Sequence, residues 1–156
     1  MPNKRVLVTG AGGYMASRLV PALAERYILR LADIASPTVF PGVDDVHSVD
    51  LTEKHASFGH LFEGIDTVVH LGYRRSSPGG IYDTTVPHID RFDAELANVR
   101  MAYNVYRGAL ESGVRRVVVA SSNHAADWYE HALIHAGSKE LVDPTELPLS
   151  DNFYGW

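Results

Sequence analysis

The stretch Arg5-Val6-Leu7-Val8-Thr9-Gly10-Ala11-Gly12-Gly13-Tyr14-Met15-Ala16 decides how this chain is read, because an aliphatic, β-branched run passes through glycines into residues at helical spacing. Val6, Leu7 and Val8 have the composition of a strand covered on both faces, as in a parallel sheet. Glycines at such a turn let backbone N–H groups approach a phosphate with no Cβ in the way, and the positive end of the helix dipole favours the anion there. The inferred ligand is a dinucleotide. Gly10 and Gly12 would open a G-x-G-x-x-G pattern, but Met15 stands where its third Gly belongs. Gly10, Gly13 and Ala16 instead give G-x-x-G-x-x-A after Thr9. A glycine turn that holds no ligand has the same local form, so the residues downstream must separate the two readings.

Leu19 and Leu23 carry the first helix to about residue 26, and residues 27–33 read as a second strand ending in Asp33. An acid about twenty residues beyond the turn can accept hydrogen bonds from both hydroxyls of an adenosine ribose. It would repel a 2′-phosphate, and no Arg or Lys lies between Ile34 and Val49 to receive one, so the chain is expected to prefer NAD to NADP. The competing reading of Asp33 is a surface acid that merely ends a strand. Residues 36–45, with Pro37, Pro41 and Gly42, form a loop. A short third strand follows at residues 46–49, then Asp50-Leu51 and a helical segment starting near Thr52. Residues 66–72 are the fourth strand, ending His70-Leu71-Gly72.

Residues 74–86 are rich in Arg, Ser, Pro, Gly and Thr, a loop in which Arg74 and Arg75 either meet a carboxylate or phosphate or simply lie in solvent. Phe92, Leu96, Val99, Tyr103, Tyr106 and Leu110 then recur at intervals of four, three, four, three and four. This spacing predicts one long helix from about Ile89 to Glu111 with a continuous apolar stripe, stopped by Gly113. A fifth strand occupies residues 114–120. Alternating strands and helices predict an α/β, Rossmann-like doubly wound parallel sheet of order 3-2-1-4-5, with a ligand crevice at the carboxyl ends of strands one and four. Residues 1–156 form one such domain, without linker or internal repeat.

Composition narrows the partners. Fourteen Lys and Arg against nineteen Asp and Glu give a net charge of −5, which offers no electrostatic footprint for nucleic acid. No apolar run approaches the roughly 18 residues of a membrane span. With no cysteine, disulfides, thiolate chemistry and cysteine-ligated zinc are excluded. The first residues lead straight into a strand without the apolar core of a signal peptide, so a cytoplasmic address is expected. No metal is expected either: His131 and His135 stand four apart, but no third ligand lies at motif spacing and Glu130 is not part of a His-Glu-x-x-His arrangement. Ser122 and His124 lack the Gly-x-Ser-x-Gly elbow of a hydrolase, and His70 reads as a hydrogen-bonded core residue.

Taken together, Thr9-Gly10-x-x-Gly13-x-x-Ala16, the Asn98 and Asn104-Val105-Tyr106 spacing, Val118-Val119-Ala120-Ser121-Ser122-Asn123-His124 and Tyr154-Gly155 resemble the extended short-chain dehydrogenases/reductases, also called the NAD-dependent epimerase/dehydratase family. Within it, the Ala-Ser-Ser-Asn-His stretch and the His-Leu-Gly strand end look most like uronate dehydrogenases. The resemblance implies an NAD-dependent oxidoreductase or epimerase acting on a sugar or sugar acid. It implies cofactor contacts at Gly10, Gly13, Tyr14, Met15, Asp33, Asp50, Leu71, Gly72 and Asn98, with Leu51 beside Asp50, whose carboxylate would reach the adenine amino group. It implies substrate contacts at Asn123 and His124, and a homodimer through the helix at 89–111.

The family's chemistry uses a tyrosine phenolate to take a proton from a substrate hydroxyl, with a serine holding the same oxygen. Tyrosine ionises near pH 10 unperturbed, so a cation must lower that value, and in the family it is a lysine four residues on. Tyr154 matches the tyrosine and Ser122 the serine; the lysine position would be 158 and the sequence ends at Trp156. No other tyrosine has a lysine four residues beyond it; Tyr14 and Tyr103 are followed by Arg18 and Arg107. The chain is therefore expected to be a truncated catalytic domain, lacking later strands and the C-terminal substrate subdomain, with little or no turnover. A dinucleotide-binding regulatory or interaction module is the alternative. The resemblance lapses over about residues 125–147, where Ala125 to Asp143 are inserted with helical character, and Asn152 to Trp156 are expected to begin a helix capped by Ser150 or Asp151.

Overall fold

The computed structural model describes residues 4–35, 40–54, 57–75 and 83–156. Residues 36–39 and 76–82 of the two expected loops, and residues 55 and 56 of the expected helical segment, lie outside the described residues. Packing groups the chain into two compact units, Met1–Tyr73 with Ala97–Ala120, and Arg74–Leu96 with Ser121–Trp156.

The first unit holds a five-stranded parallel sheet of order β3-β2-β1-β4-β5, the order expected. Its strands are β1 (Arg5–Thr9), β2 (Ile28–Asp33), β3 (Val46–Ser48), β4 (Thr67–His70) and β5 (Arg116–Val119). Because side chains alternate across a strand, β1 feeds two separate cores. Val6 and Val8 pack with Leu29, Leu31, Phe40 and Val43 against Ala16 and Val20 of α1 (Tyr14–Ala24). Leu7 and Val68 pack on the other face with Phe58, Leu61, Phe62 and the side chains Met101, Val105 and Ala109 of α2 (His88–Glu111). Burying each of the Val, Leu, Phe and Met side chains among these is worth roughly 1.5–3 kcal/mol.

One local expectation is met only in part. Of the helical segment expected from near Thr52, the described residues 52–54 are not helical, while Ser57 and Gly59–Phe62 are 3-10. The Asp50 carboxylate accepts from Thr52 N (2.8 Å) and Thr52 Oγ1 (2.6 Å), an Asx-type turn that competes with helix. The buried Asn104 amide of α2 then donates to the carbonyls of Leu51 (2.8 Å) and Glu53 (2.9 Å), which a helix would have used itself. α2 is the long helix expected, His88–Glu111, and the structure shows which of its faces is buried. Its regular apolar stripe faces outward at Val99, Tyr103, Tyr106 and Leu110, the last 81% exposed, while Met101, Asn104, Val105 and Ala109 make the face that meets the sheet. Gly108 sits on that inner face, where a Cβ would strike the ring of Phe62 at 2.5–2.8 Å.

In the second unit, Asn123–Ala126 form a 3-10 turn, Asp127–Tyr129 one α turn (α3) and Glu130–Ile134 a π-helical turn, which bears out the helical character expected of this stretch. Residues 151–156 form turns and not the start of a helix. The reason is local: Asn152 Oδ1 accepts from Gly155 N (2.9 Å) and Ser150 Oγ from Asn152 N (3.2 Å), so two side chains take backbone donors within a few residues of each other.

Replacing Asn104 with Ala should lower the stability of the first unit by about 1–3 kcal/mol, since the buried Leu51 carbonyl and the part-buried Glu53 carbonyl lose their donor together. Urea denaturation checks this; a change under about 0.5 kcal/mol would mean that those carbonyls find other partners.

Candidate functional site

The glycine turn lies where β1 ends. Gly10 has φ +74°, and a Cβ there would lie 2.5 Å from Gly72 N and 2.6 Å from the Leu71 carbonyl carbon. The turn is closed by Gly13 N donating to Gly10 O (3.1 Å). Gly13 occupies the N-cap of α1, which has no side-chain cap and no acid in its first turn, so its leading N–H groups point at a place suited to an anion. Tyr14 and Met15 are exposed at the mouth of the turn, with the Arg18 guanidinium 5.4 Å from the Tyr14 ring centre. Asp33 ends β2 and reaches back to the turn: its Oδ2 accepts from Gly12 N (2.9 Å), and its Oδ1 from Ala35 N (3.2 Å). Gly10, Gly13, Tyr14, Asp33, Leu71 and Gly72 are thus brought to the carboxyl ends of adjacent strands. Asp50 and Leu51 follow β3 and are tied to Thr52 and Asn104 as described, and Asn98 lies half-buried on α2.

Thr9 and His70 form a pair that sequence reasoning half anticipated. Register places them side by side, and Thr9 Oγ1 lies 2.6 Å from His70 Nδ1 with both residues buried. Burial holds the His70 pKa down at about 4, so at neutral pH the ring is uncharged.

Ser122, Asn123, His124 and Tyr154 all belong to the second unit. Ser122 Oγ caps the 3-10 turn by accepting from His124 N (3.3 Å), and its own proton is only weakly engaged by Asn123 Oδ1 at 3.5 Å. The His124 and Tyr154 rings meet edge to face, 5.3 Å apart. Gly155 permits this meeting, because a Cβ there would collide with the carbonyl of His124. Two residues that sequence reasoning missed hold the group: Asp127, 2% exposed, accepts from His124 Nδ1 (2.5 Å) and from Asn152 Nδ2 (2.9 Å). The spacing of His124 and Asp127, three apart across a helical turn, was the available signal. His131 Nδ1 pairs with Asp151, which holds the His131 pKa up and the Asp151 pKa down. Among the described residues no group of three or more His, Cys, Asp or Glu could hold a metal ion. No helix among them is long and apolar enough to cross a membrane.

The second unit also encloses a cavity of about 620 Å³ between the first turns of α2 and residues 150–156, lined by His88, Arg91, Phe92, Glu95 and Tyr154 among others. Its aromatic wall is Phe92, Phe153 and Trp156, with ring centres 5.3 and 6.3 Å apart.

A parallel sheet of this order with a glycine turn after its first strand defines a Rossmann-like α/β protein. The model of the NAD dependent epimerase/dehydratase family matches residues 6–149, and the chain belongs to that family. It is 32% identical to a uronate dehydrogenase of Pseudomonas syringae pv. tomato, over 99% of this chain and 50% of that protein. It is 31% identical to an L-arabinose 1-dehydrogenase (NAD(P)(+)) of Haloferax volcanii, over 97% of this chain and 56% of the relative. The crystal structure of uronate dehydrogenase from Agrobacterium tumefaciens superposes with a TM-score of 0.73 at 28% identity, covering 99% of this chain and 52% of that one. A mutant of that enzyme complexed with NAD gives 0.72 at 27% identity, covering 97% and 51%. The chain spans about half the length of the curated relatives it matches.

The depressed His70 pKa makes stability depend on pH. The unfolded ring takes a proton near pH 6.5 and the folded one only near pH 4, so its contribution is complete above about pH 6.5 and is lost as pH falls toward 4. The loss should total about 3 kcal/mol. Denaturation midpoints between pH 7 and 4 should fall less steeply in His70→Gln, and equal slopes would remove His70 as the cause.

Proposed function

We propose that this chain is the cofactor-binding part of an NAD-dependent oxidoreductase that acts on a sugar acid. The single observation that carries the reading is the pairing of a Cβ-free turn at Gly10 and Gly12 with the Asp33 carboxylate lying against it. That cradle fits a dinucleotide: the leading N–H groups of α1 suit its pyrophosphate, and Asp33 suits two ribose hydroxyls and opposes a 2′-phosphate. Gly10, Gly13, Tyr14, Met15, Leu71, Gly72 and Asn98 would line its course, with Asp50 toward the adenine. When bound, NAD supplies the acceptor for a hydride.

The remaining chemistry falls to this chain's own side chains. Tyr154 would take the proton of the substrate hydroxyl, and Ser122 would hold that oxygen by its weakly engaged proton. Asn123 and His124 would bind further hydroxyls. The relatives called uronate dehydrogenases support a uronic acid as substrate. The exposed tyrosines and aliphatics of α2 support a homodimer through the 89–111 helix.

Two measurements test these readings. Calorimetric titration should find NAD bound more tightly than NADP, and Asp33→Ala should weaken NAD by about tenfold, the value of a good hydrogen bond to a charged group. Equal or tighter binding of NADP would sink the assignment. In sedimentation the chain should associate, and Tyr103→Glu with Leu110→Glu should make it monomeric; a wild-type monomer at high concentration would discard the dimer.

A further inference from the structure

Asp127 is a carboxyl group almost wholly removed from water, on a turn whose neighbours are Ala126 and Trp128. An ionised carboxylate can only accept hydrogen bonds, and its burial is tolerable only where donors meet it. Two do so on one oxygen. Asp127 Oδ2 receives His124 Nδ1 at 2.5 Å and Asn152 Nδ2 at 2.9 Å. The Asn152 amide is fixed in its sense by a second bond, since its Oδ1 accepts from Gly155 N (2.9 Å). The backbone around the pair is pinned as well: Trp128 N donates to Leu149 O (3.1 Å) and Tyr129 Oη to Leu147 O (3.0 Å).

From this geometry we propose that Asp127 is a positioning residue: it holds the His124 imidazole with its proton on Nδ1, so that Nε2 is the nitrogen that meets a substrate hydroxyl as an acceptor. Asn152 completes the device by joining the same carboxylate to the segment that carries Tyr154. A carboxylate facing Nδ1 admits only the tautomer or charge state with hydrogen there, which fixes what the other nitrogen does. The ring is also held in rotation, by the bond at Nδ1 on one side and the Tyr154 ring on the other. This inference rests on the proposed role of His124 toward a sugar acid, and it adds the group that sets the ring's chemistry.

The test is the side-chain nitrogen spectrum of His124, recorded by long-range proton–nitrogen correlation at mildly alkaline pH, in the wild-type chain and in Asp127→Asn. The expected result is a wild-type ring protonated at Nδ1, and a variant in which the amide's own N–H groups drive the proton to Nε2. A wild-type ring protonated at Nε2, or a tautomer unchanged in the variant, overturns the proposal. Should Asp127→Asn fail to fold, the wild-type spectrum alone decides on the same criterion. D-glucuronate is then titrated, with glucose as the neutral control. The Nε2 resonance of the wild type should move, with affinity lower by roughly tenfold in Asp127→Asn. A Nδ1-protonated ring whose Nε2 ignores glucuronate would sink the sugar-acid reading and leave the positioning of the ring standing.

Discussion

Where β1 and β4 end side by side, the backbone of Gly10 comes so close to Gly72 that a single methyl group would lie 2.5 Å from the Gly72 nitrogen. The rest of the first unit follows from that approach. Because the turn lies flat against the end of β4, α1 starts directly over the sheet and can bury Ala16 and Val20. The same turn presents Gly12 N to Asp33, so the end of β2 is tied to the loop after β1 by a charged hydrogen bond and not by packing alone. Thr9 and His70 sit one step deeper on the same two strands, closing the floor of the crevice with a neutral polar pair.

The parts of the fold that the sequence made legible are those in which burial and local pattern agree. Val6, Leu7 and Val8 are apolar because both sheet faces are covered, and that pattern survives any change in the neighbours. The stretch after Thr52 was illegible because its carbonyls are claimed by Asn104, more than fifty residues away. In α2 the helix was legible but its inner face was not. Its most regular apolar repeat is the outer one, while the buried face mixes Met101, Asn104, Val105, Gly108 and Ala109, which look unremarkable as a pattern. Periodicity reports that a helix has two apolar faces but not which one meets the sheet.

The candidate site divides similarly. Gly10, Asp33, Ser122 and Tyr154 could be singled out because each lies at a fixed offset from a strand or a motif. For Asp127 the one signal was its spacing three beyond His124, which does not distinguish a buried partner from an exposed turn residue, and Asn152 offered none. The second unit has little aliphatic packing of its own, and a polar relay from His124 through Asp127 to Asn152 and Gly155 supplies much of its order. Such a relay is sensitive to change, since removing one member takes a hydrogen bond from a carboxylate that is 2% exposed.

The all-parallel pairing also governs the order in which the sheet can assemble. Arg5 must find Ile28, 23 residues along, whereas Val6 must find Thr67, 61 residues along. Loop-closure entropy grows with the logarithm of that separation, which makes the second encounter costlier by about 0.9 kcal/mol in a flexible chain. Leu31 finds Val46 only 15 residues along, so β1, β2 and β3 with α1 are the cheapest native piece to form, and β4 joins it across the longest of these gaps. The contact between Gly10 and Gly72, which shapes the crevice, closes only at that step, together with the core that joins Leu7 to Val68, so the place for a ligand and the second hydrophobic layer form at once.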